Sequence, residues 1–215
     1  MKRHSPFMQT FDQLPATLPV FPLPNAVLLP GASLPLNIFE PRYLNMLQDA
    51  MESHHLIGMI QPRDESSLPP LYDVGCAGRI TRYEETNDGR LEITLTGLCR
   101  FEIKQELSTL RGYRLIEPDW SGFSVDFEEQ EEPDSQSKLA FNAAVRSYFI
   151  QNNMDADWGL LDKLRVEELA NSLFNYLDLT NEDKQMLIEI DTLANRLKAF
   201  SAILESKDND EERKH

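Results

Sequence analysis

The sequence predicts an α+β protein: a curled β-sheet or pseudo-barrel with one early helix, followed by a C-terminal helical bundle. Three observations carry this expectation. Residues 18–43 hold six of the 13 prolines among dense Leu, Val, Ile and Phe, a texture that neither a helix nor a polar linker tolerates. The stretch from Leu91 to Ile103 alternates apolar and polar side chains and slips phase at Gly97, as a bulged, bending strand does. From Ser137 onward the apolar spacing changes to steps of three and four, the period of helices.

Taken in order, residues 1–14 read as a flexible lead. The start, MKRHSPFMQTF, has the basic residues of a signal peptide without an apolar core, so a cytoplasmic protein is expected. Val27–Leu29 is a short apolar run, and Pro30-Gly31 suits the centre of a type II turn, proline presetting the negative φ and glycine supplying the positive one. Leu34, Leu36 and Ile38 recur at period two and share one side of a strand. Pro35 faces the other way and lacks a donor, which places this strand at an edge or a bulge. Glu40-Pro41 starts a helix, proline being harmless at the first helical position, with Tyr43, Leu44, Leu47, Ala50 and Met51 inward. Arg42 and Tyr43 either contact a partner or close the strand-to-helix corner; the corner role is preferred.

Leu56–Ile60 reads as a strand and Arg63–Pro70 as a loop. A hairpin follows, with Gly78–Glu85, a turn at Thr86–Gly89 and a long partner strand; Tyr113–Ile116 supplies a later strand. If Glu85 pairs with Arg90, Cys76 and Cys99 lie directly opposite each other. A bulge at Gly97 would shift that register, and a cytoplasmic chain keeps such thiols reduced, so free, largely buried cysteines are expected. Trp120 and Trp158 are expected to pack where a domain closes.

The net charge of −15 is unevenly spread: residues 1–114 carry 11 Lys/Arg against 13 Asp/Glu, residues 115–215 carry 10 against 23. Neither half offers the basic footprint of nucleic-acid binding. Arg79, Arg82, Arg90 and Arg100 cluster, but the acids interleaved with them suggest a solvated strand face. Asp126–Asp134 packs six carboxylates into nine residues, and such repulsion favours an exposed connector. The expected organisation is therefore a β-rich part over residues 15–123, an acidic linker over 124–137, a helical part over 138–205 and a disordered polar tail over 206–215.

In the helical part, Ser137–Gln151 places Leu139, Ala143, Arg146 and Ile150 on one face. Val166, Leu169, Ala170, Leu173, Phe174 and Leu177 form a second stripe. Thr180 and Asp183 form a capping box with Asp in place of Glu. Met186, Ile190, Leu193, Leu197, Phe200 and Leu204 then read as the seam of one long helix. Such a seam serves either a homodimer or packing within its own domain, and the second is preferred.

These pieces, in this order, resemble the substrate-binding N-terminal domain of Lon proteases, found also as free-standing proteins and within cereblon. The resemblance rests on Leu18-Pro19, Phe21-Pro22-Leu23, Leu29-Pro30-Gly31, Leu34-Pro35-Leu36 and Ile38-Phe39-Glu40-Pro41-Arg42-Tyr43. Further on it continues through Val74-Gly75, Gly78-Arg79-Ile80, Asp88-Gly89-Arg90, Gly97-Leu98 and Arg100-Phe101, then Lys184-Gln185, Leu187, Glu189 and Arg196, spanning residues 15–204. Asp178 stands where the family usually has proline. The resemblance implies a PUA-like β-fold and a protein-interaction role. Within it, Pro30, Gly31, Pro35, Glu40, Pro41, Arg42, Tyr43, Gly97 and Arg100 are read as structural motif residues.

No catalytic, metal or cofactor residues are assigned. There is no P-loop sequence, and the ATPase and Ser–Lys peptidase domains of full Lon proteases have no counterpart. Ser137-Lys138 is a chance adjacency, and His4, His54, His55 and His215 lack ligand spacing. There is no apolar run of about 18 residues to span a membrane. The expected function is a non-catalytic module that binds unfolded or exposed peptide segments, or a partner protein. The alternatives are hydrolase activity in its own right and RNA binding borrowed from other PUA-like domains. The residues that contact the peptide or partner are not assigned by sequence.

Overall fold

The Pro30-Gly31 turn organises the N-terminal half of the computed structural model, which describes residues 10–87, 90–128 and 131–212. Leu29 O accepts from Ala32 N–H at 3.0 Å, and Gly31 has φ 77°, the geometry of a type II turn. The turn docks on a strand: Gly31 N–H donates to Gly97 O at 2.9 Å, and Gly97 N–H to Ala32 O at 2.8 Å. A Cβ at position 97 would lie 2.0 Å from Leu29 O, so only glycine admits this approach.

The chain divides into two compact units, Met1–Glu129 and Gln130–His215. The first contains β1 (Leu18–Pro22), β2 (Ser33–Ile38), α1 (Pro41–Met51), β3 (Leu56–Ile60), β4 (Val74–Glu85), β5 (Leu91–Leu107) and β6 (Arg114–Asp119). The sheet order is β2-β5-β4-β3-β1-β6, and β6 pairs back onto the C-terminal half of β5, which closes a small barrel. β1 and β3 are parallel, and α1 lies in the crossover between them. The interior is filled by Leu18, Val20, Leu56, Ile60, Ala77, Phe101 and Ile116. Trp120 closes it, its ring edge-on to Phe101 at 5.9 Å and its Nε1–H donated to Pro15 O at 3.0 Å.

β2 is the edge strand that Pro35 requires; it pairs only with β5, with Pro35 opposite Thr94. α1 begins at Pro41 with Glu40 as N-cap. Its buried face is Tyr43, Met46, Leu47 and Ala50, so Met46 replaces the expected Leu44 and Met51. The stripe is rotated because the helix leans its N-terminal half on β1, where Tyr43 meets Phe21 at 4.2 Å.

The β4–β5 register matches the expected one at Gly78–Ile80 and differs from it by one residue on either side. Glu85 pairs with Leu91, and the loop closes through Thr86 N–H to Arg90 O at 2.9 Å. Asp88 and Gly89 of the expected turn lie outside the described residues. Register shifts fall between Ile80 and Arg82 and, on β5, between Gly97 and Cys99, where Leu98 is the bulged residue. Cys76 therefore faces Arg100 and Cys99 faces Ala77; both thiols are free and buried.

Arg100 is not on a solvated face. It is fully buried, and Asp126 on the 3-10 segment Ser121–Phe127 receives its Nη2–H at 2.8 Å and its backbone N–H at 2.8 Å. The acidic stretch thus starts as part of the barrel unit, because a buried guanidinium captures its first carboxylate. Residues 129 and 130 of the expected connector, and residues 1–9 of the expected lead, lie outside the described residues.

The second unit holds α2 (Ser135–Gln151), α3 (Trp158–Leu161), α4 (Val166–Phe174), α5 (Asn181–Glu189) and α6 (Leu193–Glu212). Asp134 caps α2, accepting Ser137 N–H at 2.8 Å, so the helix begins inside the expected linker. α2 buries Phe141, Ala144, Val145, Tyr148 and Phe149, whereas the expected stripe is turned outward, with Leu139 70% and Ile150 74% exposed. Aromatic bulk decides this: Phe141 packs on Phe200 at 5.5 Å and Phe149 on Trp158 at 5.4 Å.

The expected long last helix is two helices. Ile190 is extended at ψ 128°, and Arg196 reaches back to donate to Leu187 O at 3.1 Å and Ile190 O at 2.9 Å, satisfying the carbonyls at the end of α5. Thr192 then caps α6 through Asn195 N–H at 3.3 Å. Met186 is exposed, while Leu193, Leu197, Phe200 and Leu204 are buried within the chain. The capping box stands, with Asp183 N–H on Thr180 Oγ1 at 3.0 Å. α6 continues through most of the expected tail, to Glu212, because helix propagation adds a hydrogen bond per residue. Lys207 anchors that extension on Asp178 O at 2.7 Å.

Candidate functional site

Of the nine motif residues, Pro30, Gly31 and Gly97 form the turn-on-strand contact, Pro35 holds the edge strand and Arg100 sits in the buried ion pair. Glu40, Pro41, Arg42 and Tyr43 stand at the start of α1, and of these Arg42 and Tyr43 line an open groove of about 340 Å³ in the barrel unit. One wall is the loop from Asp64 to Pro69, the facing wall is Arg42 with Tyr43, and Gly112–Arg114 crosses between them. Pro22, Pro24, Pro62 and Pro69 contribute rigid apolar surface.

Each wall is fixed by interactions that follow from its sequence. The loop is pinned at its base by Arg63, which donates to Leu71 O at 2.8 Å and to Asp73 at 2.9 Å, and lies 4.5 Å over the Tyr72 ring. Asp64 turns the chain by accepting Ser66 N–H at 2.9 Å. Gly112, at φ 83°, is a left-handed position that suits glycine. The crossing segment is tied to α1: Tyr113 O–H donates to Asp49 at 2.7 Å and Arg111 pairs with Asp49 at 2.9 Å. Arg114 pairs with Glu106 and donates to Pro69 O at 2.6 Å, joining the floor to the loop.

The Tyr43 ring is buried against Phe21, and the Arg42 guanidinium lies 4.6 Å above it while pairing with Glu40 at 2.9 Å. Burial raises the Tyr43 phenol above its ordinary pKa, partly offset by Arg42. Tyr113 is raised by burial and by its bond to Asp49, so both phenols are neutral near pH 7. Ser66 holds Asp64 below the usual carboxylate range. Leu68 projects from the loop 75% exposed, an apolar side chain with no shelter of its own. The lining has no His, Lys or Cys. It offers apolar walls, two phenols and two acidic groups on one loop.

Sequence reasoning weighs a partner contact for Arg42 and Tyr43 but prefers the corner role, and it gives no site role to Asp64, Glu65, Leu68, Tyr113 or Arg114, which line the same groove. Residues 63–70 read only as a loop, and the one local signal was an exposed Leu beside two prolines. Elsewhere, His55 serves the backbone, with φ 58° and its N–H on Ala50 O at 2.9 Å, as a left-handed helix terminus. Among the described residues no group of three or more His, Cys, Asp or Glu is arranged to hold a metal. Among them, too, no helix is long and apolar enough to cross a membrane.

The chain is thus a closed barrel with a crossover helix, which carries an open, mainly apolar groove, and a separate helical unit. Comparison places it further. The family profile of the ATP-dependent protease La (LON) substrate-binding domain matches residues 17–206, and the chain belongs to that family. It is 26% identical over 200 residues to a Lon protease of Flavobacterium johnsoniae, covering 86% of this chain and 23% of that one. A Lon protease 2 of Thermus thermophilus is 24% identical over 207 residues, covering 90% and 24%. The chain thus spans about a quarter of the length of these curated relatives. Among solved structures, a Lon N-terminal domain protein from Xanthomonas campestris has a TM-score of 0.63 at 26% identity, covering 86% of this chain and 97% of that one. The N-terminal domain of a Mycobacterium avium complex Lon protease shares the fold, with a TM-score of 0.61 at 18% identity over 90% of this chain and 98% of that one.

Proposed function

We propose that the chain is a non-catalytic recognition module that holds an exposed or unfolded segment of another protein in the barrel-unit groove. The observation that carries this reading is the groove itself: rigid proline walls, a neutral aromatic floor and an uncovered Leu68, in a chain of the LON substrate-binding family. An extended peptide brings what such a surface lacks, an apolar side chain to cover Leu68. The lining has no His, Lys or Cys, and the Asp64 carboxylate that meets the Ser66 hydroxyl is held below the usual carboxylate range and is a weak base, which favours binding without cleavage.

Fluorescence anisotropy of a labelled, extended apolar peptide against the full chain tests the reading. Leu68→Ser leaves the fold intact, because the side chain is already exposed, and is expected to weaken binding about tenfold, the worth of one partly buried leucine. Unchanged affinity in that variant would remove the groove from the account. Intact casein after incubation with the chain is the expected companion result; ATP-independent cleavage that survives stringent purification would favour a hydrolase.

A further inference from the structure

The groove's charges are unequal in a way its composition hides. Both of its arginines are already satisfied within the barrel unit. Arg42 pairs with Glu40 at 2.9 Å; Arg114 pairs with Glu106 and donates to Pro69 O at 2.6 Å. Its two carboxylates are not matched by cations. Asp64 is held by Ser66, and neighbouring Arg63 is committed to Asp73 at 2.9 Å. Glu65 has no ion-pair partner among the described residues, and both carboxylates are exposed on the loop that also presents Leu68.

We infer that the groove selects segments in which an apolar residue lies beside a lysine or arginine. This rests on the recognition reading and narrows its ligand. The apolar side chain covers Leu68 and the proline walls, while the cation reaches Asp64 and Glu65 a few residues back along the same loop. An acidic segment gains nothing equivalent, since its carboxylate must compete with Glu40 or Glu106 for an arginine already bound. The pairs formed are solvent-exposed, so the selection is modest and sensitive to salt.

Three peptides of equal length, with one shared apolar core and flanks of Lys, Glu or Ser, measure it by anisotropy against the full chain. The Lys-flanked peptide is expected to bind at least about threefold more tightly than the Glu-flanked one. The ratio is expected to fall toward one in a D64N/E65Q chain, whose two exposed substitutions leave the fold unchanged, as circular dichroism would verify. Equal affinities for the Lys and Glu peptides would overturn the charge selection while leaving the recognition reading in place. A Lys preference that persists in D64N/E65Q would also overturn it, and would assign the effect to the net charge of −15. Failure of all three peptides to bind would overturn the recognition reading and this inference together.

Discussion

At the scale of single residues, close approach and buried charge dominate. Gly97→Ala drives a methyl group to 2.0 Å from a backbone oxygen, whereas Gly122→Ala meets nothing within 4 Å. Urea unfolding is expected to show a loss of about 3 kcal/mol for the first and a change within about 0.5 kcal/mol for the second. Asp126→Asn strands a fully buried arginine and is expected to cost about 3–5 kcal/mol, while replacing both partners with leucine costs less. The two thiols add a pH dependence. Burial pushes Cys76 and Cys99 up, and the Asp126 carboxylate adds to it, so both stay protonated in the fold. The unfolded thiols ionise near about pH 8.5, so above that the unfolded state binds fewer protons and stability falls as pH rises, by at most about 1.4 kcal/mol per thiol per pH unit. A C76A/C99A chain should show a shallower decline above pH 9 in the same measurement. The turn at Pro30-Gly31 was legible because its chemistry is local. The partner of Arg100 was not, because Asp126 lies 26 residues away inside a run that reads as solvated.

Elements were legible where periodicity and capping agree, and misread where a side chain from elsewhere intervenes. Pro35 at the edge, Pro41 opening α1 and the Thr180–Asp183 box are all in place. Thr180→Ala should cost about 1 kcal/mol in thermal or urea unfolding, the usual loss of a side-chain cap. The run from Met186 to Leu204 keeps its spacing across a break, because Arg196 terminates α5 from one turn inside α6. Its hydrophobic period could not show that, although Asp191-Thr192 is a start signal in plain view. On α2 both faces carry apolar residues, and the larger aromatic face won the interior. The hairpin register differs where a longer end loop and a bulge at Thr81 leave no mark on the alternation, whereas the bulge at Leu98 was legible as the slip of phase at Gly97.

For the whole molecule, the groove is not set apart by net charge. The barrel unit, Met1–Glu129, carries 11 basic against 18 acidic residues, and the helical unit, Gln130–His215, carries 10 against 18. The groove itself was half legible. Arg42 and Tyr43 stand in a motif, but the loop that faces them is unpatterned, and only the closed barrel brings residues 64–69 and 112–114 beside α1. That convergence is the central claim, and amide hydrogen exchange of the full chain with and without a saturating extended apolar peptide tests it most directly. Slowed exchange confined to residues 63–68, 111–114 and the first turn of α1 is the predicted result. Tight peptide binding with protection only in the helical unit, and none on that loop, would contradict the account.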